Sequence, residues 1–175
     1  MANREALREL QIRLASRLQA ARTEGVSVAW LAVTAGGANY LFPLAQSGEI
    51  FPLVQVQRVP YTQSWFRGVV NLRGGLFGVV DLAGFMVGAS AVRPEESLGQ
   101  ASVVTFNTVL DINCALMVDT LAGLRKREAF ETAVMPPSGS PACFGQLFID
   151  GQGLRWQEIN LQTLVQSTEF LSISV

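Results

Sequence analysis

The stretch Trp65–Leu82 reads W-F-R-G-V-V-N-L-R-G-G-L-F-G-V-V-D-L, and the prediction of the fold starts from it. Two apolar runs, Val69–Leu72 and Leu76–Val80, flank the sequence Arg73-Gly74-Gly75. A Gly-Gly pair between two β-prone runs predicts a β-hairpin, because glycine supplies the positive φ that tight turns need. Arg73 stands at the edge of the predicted turn, where its charge can reach solvent or a partner.

The composition is apolar and poor in charge. The chain has 175 residues, of which 49% are hydrophobic and 15% are charged, with a net charge of −1. This length suits one compact domain or two small lobes that share a core, and the composition argues against disorder. A chain without net positive charge has no field to attract nucleic acid or an acidic membrane.

Histidine is absent, which excludes Ser-His-Asp and Cys-His catalysis as well as histidine metal ligands. The two cysteines, Cys114 and Cys143, are far apart and form no C-x-x-C motif. Cys114 lies in an apolar run and is predicted to be buried, and no disulfide is expected. We therefore predict neither a metal nor a cofactor.

The first two dozen residues alternate arginine and glutamate with leucine, which is not the pattern of a signal peptide. The following uncharged stretch, 25–48, is interrupted by Gly36-Gly37 and by Pro43. Its length and interruptions favour two strands and a turn over a membrane span.

Apolar residues at helical spacing predict a helix over Asn3–Thr23, with Asn3 as its N-terminal cap and Gly25 after its end. The helix either packs on the rest of the chain or docks a partner. We divide the chain into this helix, residues 1–25, and a main domain, residues 26–175. The predicted apolar face comprises Leu7, Leu10, Leu14, Leu18 and Ala21.

Apolar runs of strand length separated by Gly and Pro turns predict a mainly β domain. A helical turn is predicted over Leu82–Gly88 and a C-terminal helix over Trp156–Val165, while Leu124–Arg127 is interpreted as a solvated basic patch. The predicted strands beside the central hairpin are Val26–Thr34, Tyr40–Leu44, Ser47–Phe51, Ser102–Asn107, Ile112–Val118 and Phe144–Ile149.

Three aspartates, Asp81, Asp119 and Asp150, each follow an apolar run. Aspartate after a strand favours turns, because its side chain accepts hydrogen bonds from nearby backbone amides. The alternative is a set of carboxylates for acid–base chemistry. The repetition itself fits two similar β lobes.

Several motifs resemble those of the CheW-like family, the coupling proteins of bacterial chemotaxis. The sequence G-V-V-N-L-R-G, followed by an apolar run and Val80-Asp81-Leu82, resembles the central signature of that family. Glu49-Ile50 and Ala115–Asp119 resemble two further landmarks, although Gly78 stands where most members carry proline. The similarity covers Val26 to Val165. The N-terminal helix and the sequence W-Q-E-I-N-L near the end are most similar to the pilus-associated branch, the PilI-type adaptors of twitching motility.

The resemblance implies a mainly β fold of two small SH3-like, five-stranded β-barrel lobes that share a core. It also implies a cytoplasmic adaptor, without catalytic activity, that is recruited to membrane receptor arrays. Such an adaptor would couple the cytoplasmic tip of a chemoreceptor to the regulatory domain of a CheA-type histidine kinase, and would meet the membrane only through the receptor. Two alternatives stay open: a scaffold without a kinase partner, and a hydrolase acting through two carboxylates. Because the family similarity starts near Val26, the N-terminal helix is expected to be dispensable for folding.

The candidate partner-binding residues fall into two groups. Arg73, Glu49 and Asn71 lie in the matched motifs, and Arg73 is interpreted as a partner contact rather than as half of an internal salt bridge with Glu49 or Asp81. Trp65-Phe66-Arg67 is an aromatic–aromatic–basic cluster of the kind enriched at binding hot spots, although an aromatic side chain there can equally fill the core.

Overall fold

The first of two sheets joins strands from both ends of the chain. The structure is a computed structural model that describes residues 2–23, 29–88 and 95–175. The strands of this sheet are β1 Ala29–Ala35, β2 Ala38–Pro43, β8 Thr120–Lys126, β9 Phe130–Val134, β10 Phe144–Asp150 and β11 Arg155–Ile159. They are ordered β8-β1-β2-β11-β10-β9, and only the β2–β11 pair is parallel.

The second sheet comes from the middle of the chain and contains the predicted hairpin. Its strands are β3 Ser47–Pro52, β4 Phe66–Leu72, β5 Gly75–Asp81, β6 Ser102–Phe106 and β7 Cys114–Val118. They are ordered β3-β6-β7-β5-β4, and β5 runs parallel to β7. The mainly β prediction is confirmed, with six strands in the first sheet and five in the second among the described residues.

A shared core lies between the two sheets, and each sheet has a further core on its other face. In β7, Cys114, Leu116 and Val118 belong to the shared core, whereas Ala115 and Met117 belong to the core of the second lobe. This alternation follows from the two-residue period of a β-strand. The core of the first lobe is aromatic and contains Trp30, Phe130, Phe148 and Trp156.

The N-terminal helix, α1, spans Ala2–Thr23 and packs against β3 of one sheet and β8 of the other. Asn3 therefore lies inside the first turn and does not precede the helix as predicted. Leu14 and Leu18 are buried in the shared core, which confirms the interpretation that the helix packs on the domain.

Among the described side chains of α1, the buried face differs from the prediction at Leu10; the side chain of Ala21, also predicted for this face, lies outside the described ones. Leu10 is 48% exposed, and the buried polar residue Gln11 replaces it, with its amide donating a hydrogen bond to Ser102 Oγ at 3.0 Å. Leu14 lies three residues after Gln11, and Leu18 lies four residues after Leu14. Gln11 therefore belongs to the same helix face as the two buried leucines, although it is polar and bonds to a buried partner. Apolar spacing alone could not reveal that partner.

The described part of the chain also contains three short α-helices, α2 Leu82–Val87, α3 Leu161–Gln166 and α4 Thr168–Leu171, and three 3-10 helices, Glu95–Gln100, Thr108–Leu110 and Arg127–Ala129. The predicted C-terminal helix over Trp156–Val165 is wrong in its first half, because Arg155–Ile159 is the strand β11. Trp156 is drawn into the aromatic core of the first lobe, and α3 starts only after Asn160, whose Oδ1 accepts a hydrogen bond from the Thr163 amide at 3.0 Å.

The sequence reading also missed two strands of the first sheet, β8 and β9. The basic residues Arg125 and Arg127 were interpreted as a solvated patch. The guanidinium carbon of Arg125 lies 5.8 Å from the centre of the Trp156 ring, and that of Arg127 lies 5.7 Å from the centre of the Phe148 ring. The predicted strand start at Val26 and the cap at Gly25 lie outside the described residues. No helix in the described ranges is both long and apolar enough to cross a membrane.

Candidate interaction surface

The central hairpin turns one residue earlier than predicted. Leu72 pairs with Gly75, so the turn consists of Arg73 and Gly74, with φ of 49° and 82°. Two consecutive left-handed residues between antiparallel strands match the type I′ hairpin turn. Asn71 Oδ1 accepts a hydrogen bond from the Gly74 amide at 2.9 Å, so Asn71 stabilises the turn directly.

Arg73 is an unfavourable residue for its own backbone position. A left-handed conformation costs a non-glycine residue roughly 1–2 kcal/mol, and glycine avoids that cost. The Arg73 side chain is 73% exposed, so it gains little by burial. The turn therefore carries arginine at a cost in stability.

Arg73 pairs with Glu49 across the second sheet. Its Nη1 lies 2.8 Å from Glu49 Oε2, and its guanidinium carbon lies 5.6 Å from the centre of the Phe51 ring. Exposed pairs of this kind contribute only ~0.2–1 kcal/mol to stability. The internal salt bridge considered for Arg73 thus exists with Glu49, but it leaves both charged groups accessible. Asp81, the other partner considered, is buried and caps α2 by accepting from the Gly84 amide at 3.3 Å.

The pair joins two strands from opposite edges of the sheet, because Glu49 belongs to β3 and Arg73 follows β4. The chain that continues from β3 also reaches β4, where Gln57 and Val69 exchange two backbone hydrogen bonds of 2.8 Å. The second sheet therefore curves enough to bring side chains of its two edges into contact. We call the surface formed by Glu49, Asn71, Arg73, the 62%-exposed Leu76 and the half-buried Phe51 the hairpin surface; the Phe51 ring also packs against the core of the second lobe.

A groove of about 340 Å³ adjoins Glu49 at this end of the lobe. Phe77 and several residues of the segment 107–113 between β6 and β7 line it. The hairpin surface thus combines one cation, one carboxylate, an aromatic ring and an open groove, a composition that suits contact with another protein.

Trp65 and Phe66 do not join the hairpin surface. The Trp65 ring packs edge-on against Phe85 at 5.1 Å and stacks with Phe170 at 6.4 Å, while Phe66 packs against the shared core. Arg67 is half-buried at the beginning of β4, at the opposite end of that strand from Arg73. The cluster Trp65-Phe66-Arg67 therefore divides into two aromatic side chains of the core and one arginine near the surface.

Gly78, which departs from the family pattern, fits a local requirement of this chain. A Cβ atom there would lie 2.9 Å from Cε2 of the Phe66 ring. The Gly78 amide also donates a hydrogen bond to the Asn113 carbonyl at 3.0 Å, which proline could not do. The strand stays regular, with Gly78 paired to Val69 and Cys114.

The three aspartates that follow strands all bind backbone amides. Asp81 caps α2, as described above. Asp119 Oδ2 accepts a hydrogen bond from the Gly36 amide at 2.7 Å, and Asp150 Oδ1 accepts hydrogen bonds from the amides of Gln152 and Leu154 at 2.9 and 3.0 Å. The turn interpretation is confirmed for Asp81 and Asp150, whose partners lie two to four residues ahead, whereas Asp119 binds the distant Gly36 amide and so links two segments of the chain.

Both cysteines are buried free thiols, as predicted for Cys114. Burial raises the pKa of Cys114 to about 12 and is also the main cause that raises the pKa of Cys143. Since the thiolate is the nucleophilic form, neither side chain is suited to covalent catalysis.

Sequence reasoning overlooked Phe51, although the signal was present. Glu49 and Phe51 are two residues apart in a strand, so their side chains point to the same face of the sheet. The family resemblance singled out the pair Glu49-Ile50, but the Ile50 side chain is buried in the shared core.

Comparison with known proteins gives concordant results. The model of the CheW-like domain matches residues 29–169. The protein PilI of Pseudomonas aeruginosa is 27% identical over 166 residues, which cover 93% of this chain and 89% of PilI. The crystal structure of the scaffolding protein TtCheW from Thermoanaerobacter tengcongensis superimposes with a TM-score of 0.60 at 14% identity, covering 82% of this chain and 96% of TtCheW.

Proposed function

Because the chain belongs to the CheW-like domain family, we propose that it is a non-catalytic adaptor that couples the cytoplasmic tip of a chemoreceptor to the regulatory domain of a CheA-type histidine kinase. The main support for this proposal is the hairpin surface, which is present on a domain of the CheW-like family. There, Arg73 is kept in a left-handed turn position that glycine would occupy at lower cost.

Within this proposal Arg73, Glu49 and Asn71 have different roles. The Arg73 guanidinium group offers several donors to carboxylate or carbonyl groups of a partner. Glu49 holds it over the Phe51 ring in the free protein, and Asn71 sets the turn that presents it. When a partner binds, the weak exposed pair with Glu49 exchanges for contacts across the interface.

The similarity to PilI supports a specific output. On that basis the adaptor acts in the cytoplasm, at receptor arrays to which it is recruited, and controls twitching motility by type IV pili. The membrane is reached only through the receptor.

The test is reconstitution with purified components. The full chain is mixed with the cytoplasmic fragment of a chemoreceptor and the regulatory domain of a histidine kinase from the same organism, and the complexes are resolved by size-exclusion chromatography. We expect one complex that contains all three proteins. A complex with the receptor alone would instead identify a scaffold without a kinase partner, and the absence of either complex would refute the adaptor proposal.

Arg155→Gln provides the matched control for Arg73, because Arg155 is an exposed arginine of β11 in the other sheet. Loss of Arg73 should weaken complex formation about tenfold or more, which corresponds to an interface anchor. Arg155→Gln should leave it unchanged.

A further inference from the structure

A buried threonine of β6 bonds to the backbone of the strand that carries Glu49. Thr105 is 6% exposed, and its Oγ1 lies 2.7 Å from the Glu49 amide nitrogen and 3.3 Å from the Glu49 carbonyl oxygen. Because a hydroxyl can accept one hydrogen bond and donate another, this single group can bond to both backbone polar groups of Glu49. Thr105 therefore holds the backbone at the residue whose carboxylate pairs with Arg73.

The register of β3 and β6 is interrupted at this point. Between two regular pairs of the ladder β3 has one residue more than β6, so Gly48 and Glu49 lie opposite the single residue Thr105. Two residues opposite one is the arrangement of a β-bulge, which interrupts the ladder and changes the direction in which a side chain points. The Thr105 hydroxyl thus bonds to Glu49 where the regular pairing is lost. The regular pairs on either side are Ser47–Phe106 and Ile50–Val104.

Gly48 leaves the space that the hydroxyl occupies. A Cβ atom on Gly48 would collide with Thr105 Oγ1 and would lie 2.5 Å from the Phe106 carbonyl oxygen. Because glycine has no side chain, β3 lies close enough to β6 for Thr105 to bond to the next residue, Glu49. The glycine and the threonine together fix the conformation of the bulge.

The bulge determines where the Glu49 carboxylate projects. The Arg73 guanidinium group lies 2.8 Å from that carboxylate and 5.6 Å from the centre of the Phe51 ring, two residues further along β3. The Glu49 side chain is 48% exposed, and a long exposed side chain has many accessible rotamers. A fixed backbone at Glu49 reduces the number of positions that its carboxylate can take relative to Arg73.

We infer that Thr105 is a positioning residue of the hairpin surface, because its buried hydroxyl fixes the bulge of β3 and the bulge places the Glu49 carboxylate against Arg73. Thr105 acts on Arg73 through Glu49. Its contribution to partner binding rests on the proposed function, since groups that are already ordered lose less conformational freedom when a partner binds. Its effect on the pair of Glu49 and Arg73 does not depend on that function.

Two pairs of variants isolate the hydroxyl of Thr105. Thr105→Val keeps the branched shape of the parent side chain without the hydroxyl. Thr105→Ser keeps the hydroxyl without the methyl group, and Thr105→Ala lacks both, so the serine and alanine variants keep the test valid if Thr105→Val fails to fold. Thr132→Val is the control, because Thr132 is an exposed threonine of β9 in the other sheet.

The first measurement needs no partner. In the full chain labelled with ¹⁵N, the Nε–H signal of Arg73 reports the surroundings of its guanidinium group, and Glu49→Gln should move it. Thr105→Val and Thr105→Ala should move it in the same direction, whereas Thr105→Ser and Thr132→Val should leave it at the parent position. A loss of stability alone would not move this signal in the folded protein. An unmoved signal in both variants without the hydroxyl, or equal movement in Thr105→Ser and Thr105→Ala, would overturn the inference.

The second measurement is capture by the receptor fragment and the kinase regulatory domain of the reconstitution. Thr105→Val should weaken capture about fivefold in the parent chain but less than about twofold in the Glu49→Gln background, because residues that act together are not additive. Equal weakening in both backgrounds would show that Thr105 does not act through Glu49 and would also overturn the inference. If the parent chain forms no complex, the adaptor proposal fails, and the Arg73 signal alone decides the role of Thr105.

Discussion

At the scale of single residues, two exposed side chains occupy backbone positions that suit glycine. Arg73 and Tyr61 both have left-handed φ values, and each is more than two-thirds exposed. Neither side chain repays the strain by burial in the free protein. For Arg73, we propose that contacts with a partner account for its presence in the turn.

Arg73→Gly separates folding from binding at the hairpin surface. Glycine removes roughly 1–2 kcal/mol of backbone strain, and loss of the exposed pair with Glu49 costs ~0.2–1 kcal/mol. We therefore expect a melting temperature that is unchanged or slightly higher, together with a roughly tenfold loss of partner capture. Thermal unfolding and capture on the same preparation check both halves, and a clear fall in melting temperature with binding intact would make Arg73 a structural residue.

Asp150 makes stability depend on pH. The pKa of the Asp150 carboxyl is lowered below its ordinary value of 3.8, mainly because the Trp156 indole donates a hydrogen bond to Asp150 Oδ2 at 3.0 Å. Hydrogen bonds from the Leu154 and Gln152 amides lower this pKa further. A carboxyl whose pKa is lower in the folded state contributes stability that is present above the unfolded pKa and is lost as pH falls through the folded pKa. Asp150→Asn should thus be less stable than the parent near pH 6, and the difference should shrink below about pH 4. Urea unfolding at a series of pH values measures it, and a difference that does not change with pH would contradict this account.

At the scale of elements, α1 is part of the fold. The sequence-based expectation is that the helix is dispensable, because the family similarity starts after it, and the family model matches residues 29–169. The structure argues for the opposite result, because Leu14 and Leu18 enter the shared core and Gln11 bonds to Ser102 on β6. Removing the helix would expose the apolar surface that these residues cover.

Two leucines of α1 provide a matched comparison. Leu18 is 3% exposed and Leu10 is 48% exposed. Leu18→Ala should lower the free energy of unfolding by about 2–5 kcal/mol, the range for buried leucines, whereas Leu10→Ala should change it by at most ~1 kcal/mol. Denaturant unfolding checks the contrast, and equal effects of the two variants would place α1 outside the core and restore the partner-docking interpretation.

The crossing segment, residues 53–64, approaches β4 more closely than a side chain would allow. Gly68 has φ of 132°, and a Cβ atom there would lie 2.1 Å from the Gln57 carbonyl oxygen. Gly37 also has positive φ, at 80°, but nothing lies within 4 Å of its Cβ position.

Gly37→Ala and Gly68→Ala therefore separate backbone strain from steric conflict. The first should cost only the strain of roughly 1–2 kcal/mol, and the second should cost several kcal/mol because backbone must move. Chemical unfolding of the two variants compares them directly. Similar losses would mean that the crossing segment yields easily to a side chain at position 68.

At the scale of the whole molecule, the shared core joins the two lobes. Strand β7 gives alternate side chains to the shared core and to the second lobe, and β1 does the same between the shared core and the first lobe. Neither lobe can lose its sheet without exposing the shared core.

We expect the chain to unfold in one cooperative transition. Met117→Ala, made in the core of the second lobe, should lower the unfolding midpoint seen by far-ultraviolet circular dichroism. It should equally lower the midpoint seen by tryptophan fluorescence, to which Trp30 and Trp156 of the first lobe contribute. Two separate midpoints would show that the lobes fold independently.

The family, the β-rich class and the central hairpin could be predicted from the sequence because strand-length apolar runs and turn residues are local signals. The observed turn lies one residue earlier than the predicted one, because no local sequence signal indicates that an arginine will adopt a positive φ. Strand β11 was mistaken for a helix because the position of Trp156 is decided by the distant aromatic side chains of its core. The pairing of Arg73 with Glu49 depends on the curvature of a whole sheet, and the hydrogen bonds between Thr105 and Glu49 depend on the register of β3 and β6.

The reciprocal hydrogen bonds between Gln57 and Val69 make the crossing segment observable through its exchange with deuterium. These two amide protons exchange only when the segment, which carries Arg58 and Tyr61, leaves β4. A ligand that requires the closed segment stabilises it by about 2.7 kcal/mol when its concentration is 100 times its dissociation constant, so exchange should slow by roughly the same factor of 100. The hydrogen-exchange rate of the Val69 amide therefore reports how often the segment leaves β4. A slower rate in the presence of a ligand would show that the ligand holds the segment in place.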